Sequence, residues 1–243
     1  MKDRADKLLV SLGHFDSRAG ARAAIEAGRV SANGVTVAKP SQMLSSEDVI
    51  LAEAAHPYVS RGGLKLAHAL EAFGVDPAGR HCLDIGASTG GFTDVLLRAG
   101  AAHVTAIDVG REQLHASLRG HPRVTSLEAQ DARTLTAAMM PEPPSLLVCD
   151  ASFIGLEKLL DVPLSLAAAG ADLVGLFKPQ FQVGRAHVGK GGLVTDAAAT
   201  ERAADAFAEW MNEKGWPIHA WTASPISGGD GNAERLFHAV RAQ

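Results

Sequence analysis

Apolar positions along the chain recur with two periods, and the changes of period mark out its elements. Leu8, Leu9 and Leu12 stand at helical spacing and the run stops at Gly13, which predicts a first helix over 4–13. A second begins after Asp16 or Ser17 as N-cap, passes through Ala24 and Ile25, and ends at Gly28. The period then falls to two. Val30 to Val37 alternates about Asn33-Gly34, a strong hairpin signal, and Val49-Ile50-Leu51 adds a short strand. Two helices and a small sheet form an α+β module over 1–53. Residues 54–61 make a linker, with Pro57 holding the path extended and Ser60 capping the next helix.

From residue 62 to 243 the pattern is an alternation of strands and helices. A helix opening at Arg61 to Lys65 shows Leu66, Ala69, Leu70 and Phe73 on one face and stops at Gly74. Strands follow over 81–85, 103–108, 124–127, 146–150 and 172–178. Helices are predicted over 91–98, near 111–118, over 156–168 and over 196–213, and two closing strands over 218–223 and 235–240 are expected to pair antiparallel. Such alternation gives an α/β fold: a Rossmann-like, mainly parallel, doubly wound sheet with an antiparallel last strand and helices on both faces.

The stretch from Leu83 to Leu97 is the most informative. It reads as a strand, a glycine-rich turn and a helix N-terminus, the junction where open parallel sheets bind ligands against exposed N–H groups. Ser88 stands where a dinucleotide motif needs its second glycine, and Phe92-Thr93 replaces the Lys-Ser/Thr of a P-loop. A nucleoside without phosphates remains. Asp108 closes the next strand 22 residues after Gly86, the separation at which a carboxylate accepts ribose hydroxyls. S-adenosylmethionine fits this description. Its expected contacts are Asp84, Gly86, Ala87, Ser88, Thr89, Gly90, Gly91 and Phe92 along the turn, Asp108 at the ribose, and Asp131 at the adenine edge.

Charge at strand ends adds the chemistry. Asp150 and Lys178 each conclude an apolar strand, so both point into the crevice, and a lysine there requires the carboxylate as its ion-pair neighbour. Lys65 precedes the first strand of the large sheet and Glu234 begins the last. Apolar residues make up 47% of the chain, ample for a core, and the net charge of −4 excludes a global basic field. Cys82 and Cys149 sit at strand positions and read as reduced thiols of a cytoplasmic protein. No apolar run is long enough to span a membrane, so no stable membrane association is expected, and the ten histidines show no zinc-type spacing.

In the N-terminal module, Arg18, Arg22, Arg29 and Lys39 face only Glu26 between residues 17 and 40, and Arg18 and Arg22 lie one helical turn apart. Together with Arg4, Ser17-Arg18, Ala21 to Ile25, Gly28-x-Val30 and Asn33-Gly34, the stretch resembles the S4 domain. That resemblance implies that Arg4, Arg18, Arg22, Arg29 and Lys39 grip RNA phosphates and shape, with Arg61 as a further RNA contact.

Five blocks extend the resemblance to nearly the whole chain: Tyr58 to Leu66, Leu83 to Thr93, Asp150 to Ile154, Lys178 to Phe181, and Ser224-Pro225-Ile226 with Gly231-Asn232-x-Glu234. In this order they resemble the TlyA family, an S4 domain joined to an FtsJ-like methyltransferase and also labelled haemolysin. The resemblance implies 2′-O-methylation of a cytidine in ribosomal RNA or ribosomal subunits, S-adenosylhomocysteine as product, and a catalytic tetrad at Lys65, Asp150, Lys178 and Glu234. Arg235, where an aromatic is common, and Gly229, where proline is common, depart from the pattern near the substrate. A ribose hydroxyl is a weak nucleophile, so Lys178 is expected to act as general base in its neutral form, with Lys65 holding the target ribose or its phosphate. The alternatives are methylation of an rRNA or tRNA base, a membrane-active haemolysin, and an RNA-binding protein without catalysis.

Overall fold

The computed structural model describes residues 2–242. Contacts divide the chain between Pro57 and Tyr58 into a small and a large unit.

The small unit runs β1 (Lys2–Arg4), α1 (Ala5–Ser11), α2 (Arg18–Glu26), β2 (Val30–Ala32), β3 (Val35–Thr36), β4 (Met43–Ser45) and β5 (Ile50–Ala52). Ser17 caps α2, its hydroxyl accepting from the Gly20 N–H at 3.2 Å. Asn33 and Gly34 both have positive φ, 51° and 79°, as the expected hairpin turn requires, and β2 pairs antiparallel with β3 on one side and β5 on the other. A further antiparallel pair, β1 with β4, lies outside the expected set. Leu8, Leu9, Ile25, Val30, Val37 and Leu44 form this unit's own core.

The large unit adds α3 (Gly62–Phe73), β6 (His81–Ile85), α4 (Gly91–Arg98), β7 (His103–Asp108), β8 (Val124–Glu128), β9 (Leu146–Cys149), α5 (Leu156–Leu166), β10 (Asp172–Phe177), α6 (Ala197–Glu213), β11 (Ile218–Ala223) and β12 (Arg235–Val240). Its sheet has the order β11-β12-β10-β9-β6-β7-β8, with β12 antiparallel to both its neighbours and every other pairing parallel. Successive residues of β6 feed opposite layers: Cys82 enters one apolar cluster and Leu83 the other. Both cysteines are buried free thiols, and burial pushes each up to about 12. Their thiolates are therefore suppressed at neutral pH.

Two expectations are corrected. No helix forms near 111–118, although Leu114 and Leu118 have helical spacing. The Glu128 carboxylate, from the end of β8, instead accepts from the N–H groups of Glu112, Gln113 and Leu114 at 3.0, 2.7 and 3.0 Å, and Glu112 is left-handed with φ 54°. A distant side chain thus takes the donors that a helix start would leave open, in a conformation no helix continues. Nor does the Ser60 side chain cap α3: Arg61 is the N-cap residue and makes no side-chain capping bond, while the Ser60 carbonyl accepts from Gly63.

The topology fixes where chemistry can occur. From β6 the order runs to β7 on one side and β9 on the other, so a crevice opens beyond the carboxyl ends of these strands. Gly86 begins the turn there with φ 81°, and an added Cβ would lie 2.9 Å from the Asp150 carbonyl oxygen. Only glycine fits both constraints.

Candidate active site

Two adjoining cavities occupy the crevice. The larger, of about 480 Å³, has apolar walls from Ile85, Ile107, Ile154 and Leu159 and polar groups from Asp108, Gln130 and Asp131. The smaller, of about 300 Å³, is bordered by Ser60, Arg61, Lys65, Asp150, Ser152 and Lys178. Gly86, Ser88, Asp150 and Ser152 belong to both, so the cavities meet along the glycine-rich turn and the segment after β9.

Four charged side chains form two pairs here: Lys65, Asp150 and Lys178 border the smaller cavity, and Glu234 is joined to it through Lys65. Lys178, following β10, places its Nζ 2.5 Å from Asp150 Oδ1 and donates an aligned hydrogen bond to Ser152 Oγ at 2.9 Å. The contact with Asp150 is an ion pair without hydrogen-bond alignment, which leaves Oδ1 buried and without a hydrogen bond. Lys65, on α3, donates from Nζ to Glu234 Oε2 at 2.5 Å, and both are buried. Register explains Glu234: the β10–β12 ladder ends at Phe177 opposite Arg235, so Lys178 and Glu234 are the residues immediately past its last pair. The Glu234 carbonyl is anchored by the Ser224 N–H at 3.0 Å. Arg235 stacks on Trp221, 4.6 Å from guanidinium to ring centre, and pairs with Glu201 at 3.0 Å.

The turn residues divide in two. Gly86, Ala87, Ser88, Gly91 and Phe92 border the cavities, whereas Asp84, Thr89 and Gly90 do not. Asp84 lies fully buried beneath the turn. One oxygen accepts from Thr93 Oγ1 at 2.6 Å, the other has no hydrogen-bond partner, and burial pushes the carboxyl up to about 7 against the opposing Thr93 bond. Asp108 accepts from the Ser88 and Gly110 N–H groups at 2.8 and 2.7 Å, which orients the carboxylate and leaves lone pairs over. Asp131 pairs with Arg133 at 2.6 Å, and those hydrogen bonds hold its carboxyl below the usual range.

The RNA candidates are not equivalent. Arg61 borders the smaller cavity, its guanidinium reaching the Ser227 carbonyl at 3.5 Å. Arg4 and Arg18 both turn onto buried Asp6, at 3.0 and 2.8 Å, so Arg18 does not stand beside Arg22 as a free cation. Hydrogen bonds from Arg4, strengthened by Arg18, hold the Asp6 carboxyl down at about 2 despite burial. Arg29 makes an exposed pair with Glu53 at 3.4 Å, and Arg22 and Lys39 have no ion pair among the described residues. Asp6, Ser152 and Phe153 escaped the sequence reading as site residues. Phe153 has φ 68°, rare for an aromatic residue, is 90% exposed, and lies 5.3 Å from the Phe181 ring. The block Asp150 to Ile154 already contained the latter two, without a charge to single them out.

Comparison with known proteins decides the family. The FtsJ-like methyltransferase model matches residues 58–241, and the S4 domain model matches 3–50. Over 242 residues the chain is 45% identical to the 16S/23S rRNA (cytidine-2′-O)-methyltransferase TlyA of Mycobacterium tuberculosis, covering 99% of this chain and 90% of that protein. The chain belongs to the TlyA family. Among TlyA relatives, Hemolysin A of Brachyspira hyodysenteriae is 39% identical, covering 98% of this chain and 99% of its own. A solved structure of a Streptococcus thermophilus protein with the hemolysin label superposes with a TM-score of 0.79 at 36% identity, over all of this chain and 89% of that one. The TlyA fold therefore carries both names.

Proposed function

We propose that the protein transfers a methyl group from S-adenosylmethionine to the 2′-hydroxyl of a cytidine ribose in ribosomal RNA, releasing S-adenosylhomocysteine. The observation carrying this reading is the meeting of two lysine–carboxylate pairs, Lys178 with Asp150 and Lys65 with Glu234, beside a nucleoside-sized cavity. Its target class follows the activity of the 45% identical relative from Mycobacterium tuberculosis.

The larger cavity suits the cofactor by its donor set. Its apolar walls suit an adenine, the spare lone pairs of Asp108 suit ribose hydroxyls, and Gln130 and Asp131 stand at the rim for the base edge. When bound, the cofactor supplies a methyl group already activated by its positive sulfur. The protein's work is then to position the target hydroxyl and remove its proton. Lys178 accepts that proton as general base, with Asp150 steering the amine. Lys65, held by Glu234, secures the ribose or its phosphate. Phe153 offers its ring to the target base, and the module over 1–53 grips the rRNA through Arg4, Arg18, Arg22, Arg29 and Lys39 while Arg61 contacts RNA at the cavity.

A Lys178→Ala protein tests the assignment. Calorimetry should find cofactor affinity within about twofold of the natural protein, while incorporation of tritiated methyl into ribosomal subunits falls about 1000-fold. Near-normal transfer would remove Lys178 from the reaction. Among the described residues no helix is long and apolar enough to cross a membrane.

A further inference from the structure

The geometry points to Ser152 as a positioning residue that aims the Lys178 amine at the target hydroxyl. This inference rests on Lys178 being the general base. An amine nitrogen is tetrahedral: one direction is the bond to Cε, and three are left. Lys178 Nζ spends one on Ser152 Oγ, its one aligned hydrogen bond among the described residues, at 2.9 Å, while Asp150 Oδ1 lies 2.5 Å away as an ion-pair contact outside hydrogen-bond alignment. With one N–H group fixed on Ser152, two directions remain for the second N–H and the lone pair of the neutral amine, and the Asp150 carboxylate beside the amine draws the N–H to its own side, leaving the lone pair the other. Ser152 and Asp150 both border the two cavities where they join, so their positions fix that direction relative to cofactor and substrate together.

The segment carrying Ser152 suits an aiming role. It leaves β9 at Asp150, and the next residue after Ser152, Phe153, is held at φ 68° with its ring exposed. A non-glycine residue kept in this region is strained and persists where the surroundings over-determine it. Here the strained residue immediately follows the hydroxyl that touches Lys178. In the step itself the 2′-O–H bond breaks as its proton forms a third N–H bond on Lys178. The oxygen's electron pair makes the new C–O bond, and the pair of the broken C–S bond stays with sulfur. Ser152 gains and loses no proton. Its part is to keep the amine from rotating among the other staggered settings about its Cε–Nζ bond.

Ser152→Ala and Ser152→Thr in the full chain separate this role from its alternatives. With ribosomal subunits and tritiated S-adenosylmethionine, the alanine variant should lower kcat about tenfold, leaving KM for the subunits and cofactor Kd within about twofold. The threonine variant, which keeps the hydroxyl, should return kcat to within about threefold of the natural protein. An unchanged kcat in the alanine variant overturns the inference. So does a cofactor Kd weakened as much as kcat, which would make Ser152 a binding contact, or a threonine variant as slow as alanine. Lys178→Ala run alongside keeps the two readings apart. If it retains transfer, the general-base reading fails; if it is inactive while Ser152→Ala is unimpaired, only the aiming role fails.

Discussion

Both units of this molecule set cations against buried or half-buried carboxylates, arginines in the N-terminal unit and lysines in the C-terminal site. In the N-terminal unit Arg4 and Arg18 converge on Asp6, which is fully buried while both guanidiniums stay about half exposed. In the C-terminal unit the exposure is reversed: Lys178 is the more buried partner and Asp150 opens onto both cavities. A guanidinium cannot give up its proton in a protein and presents several fixed donors, so an arginine cluster holds anions. An ammonium can lose its proton and then accept another. Charge type and exposure therefore differ between the two sites in the way their proposed roles require, fixed donors for gripping phosphates in one and a titratable amine for moving a proton in the other.

The largest effect should come from exchanging the cation. Lys178→Arg keeps the positive charge beside Asp150 yet removes the titratable amine, so methyl transfer should fall about 1000-fold with cofactor affinity and melting temperature little changed. An arginine variant active to within about tenfold would erase the distinction between the clusters. Next in size is Asp6→Asn, which leaves two guanidiniums against a buried amide. The N-terminal unit should lose about 2 kcal/mol in urea unfolding while cofactor affinity is kept. Its pH dependence has a definite sign: the folded carboxyl is held at about 2 against an ordinary value of 3.8, so its contribution is full above pH 4 and lost as pH falls toward 2.

Smaller still, Arg18→Ala with Arg22→Ala should weaken rRNA binding about tenfold and reduce the slope of log affinity against log salt by about 1.5. Equal slopes would mean that neither guanidinium meets a phosphate. The mildest prediction concerns Asp84, whose shift is opposite to that of Asp6. Burial raises its folded carboxyl from 3.8 to about 7, so the folded chain retains a proton that the unfolded chain releases. Its contribution therefore declines as pH rises from 4 to 7 and is level above that range. Asp84→Asn should flatten this part of the stability profile measured by urea unfolding at successive pH values.

The main architecture was legible because local and tertiary signals agreed. Asn33-Gly34 demanded its turn, the glycine-rich stretch after Leu83 its strand–turn–helix junction, and the cost of a buried lysine correctly required Asp150 beside Lys178. Where a distant group intervened, the reading failed. Glu128 took the N–H groups that residues 112–114 would have needed for a helix, and β1 and β4 are three-residue strands stabilised by each other across some forty residues. The same physics hid the charge cluster at Asp6. Counting acidic residues only between 17 and 40 left Arg18 a free cation, when its partner lay 12 positions upstream. Ser152 was invisible for a simpler reason: a neutral hydroxyl carries no signal until the amine it accepts from is in view.

Direct mapping of the product tests the central claim most sharply. Ribosomal subunits and whole ribosomes would be incubated with the protein and S-adenosylmethionine, and their RNA hydrolysed with alkali, which spares a linkage only where the neighbouring 2′-oxygen is blocked. The account predicts a resistant linkage at a cytidine that appears with the natural protein and is absent with Lys178→Ala. Methyl groups found on bases, with every linkage still cleaved, would contradict it.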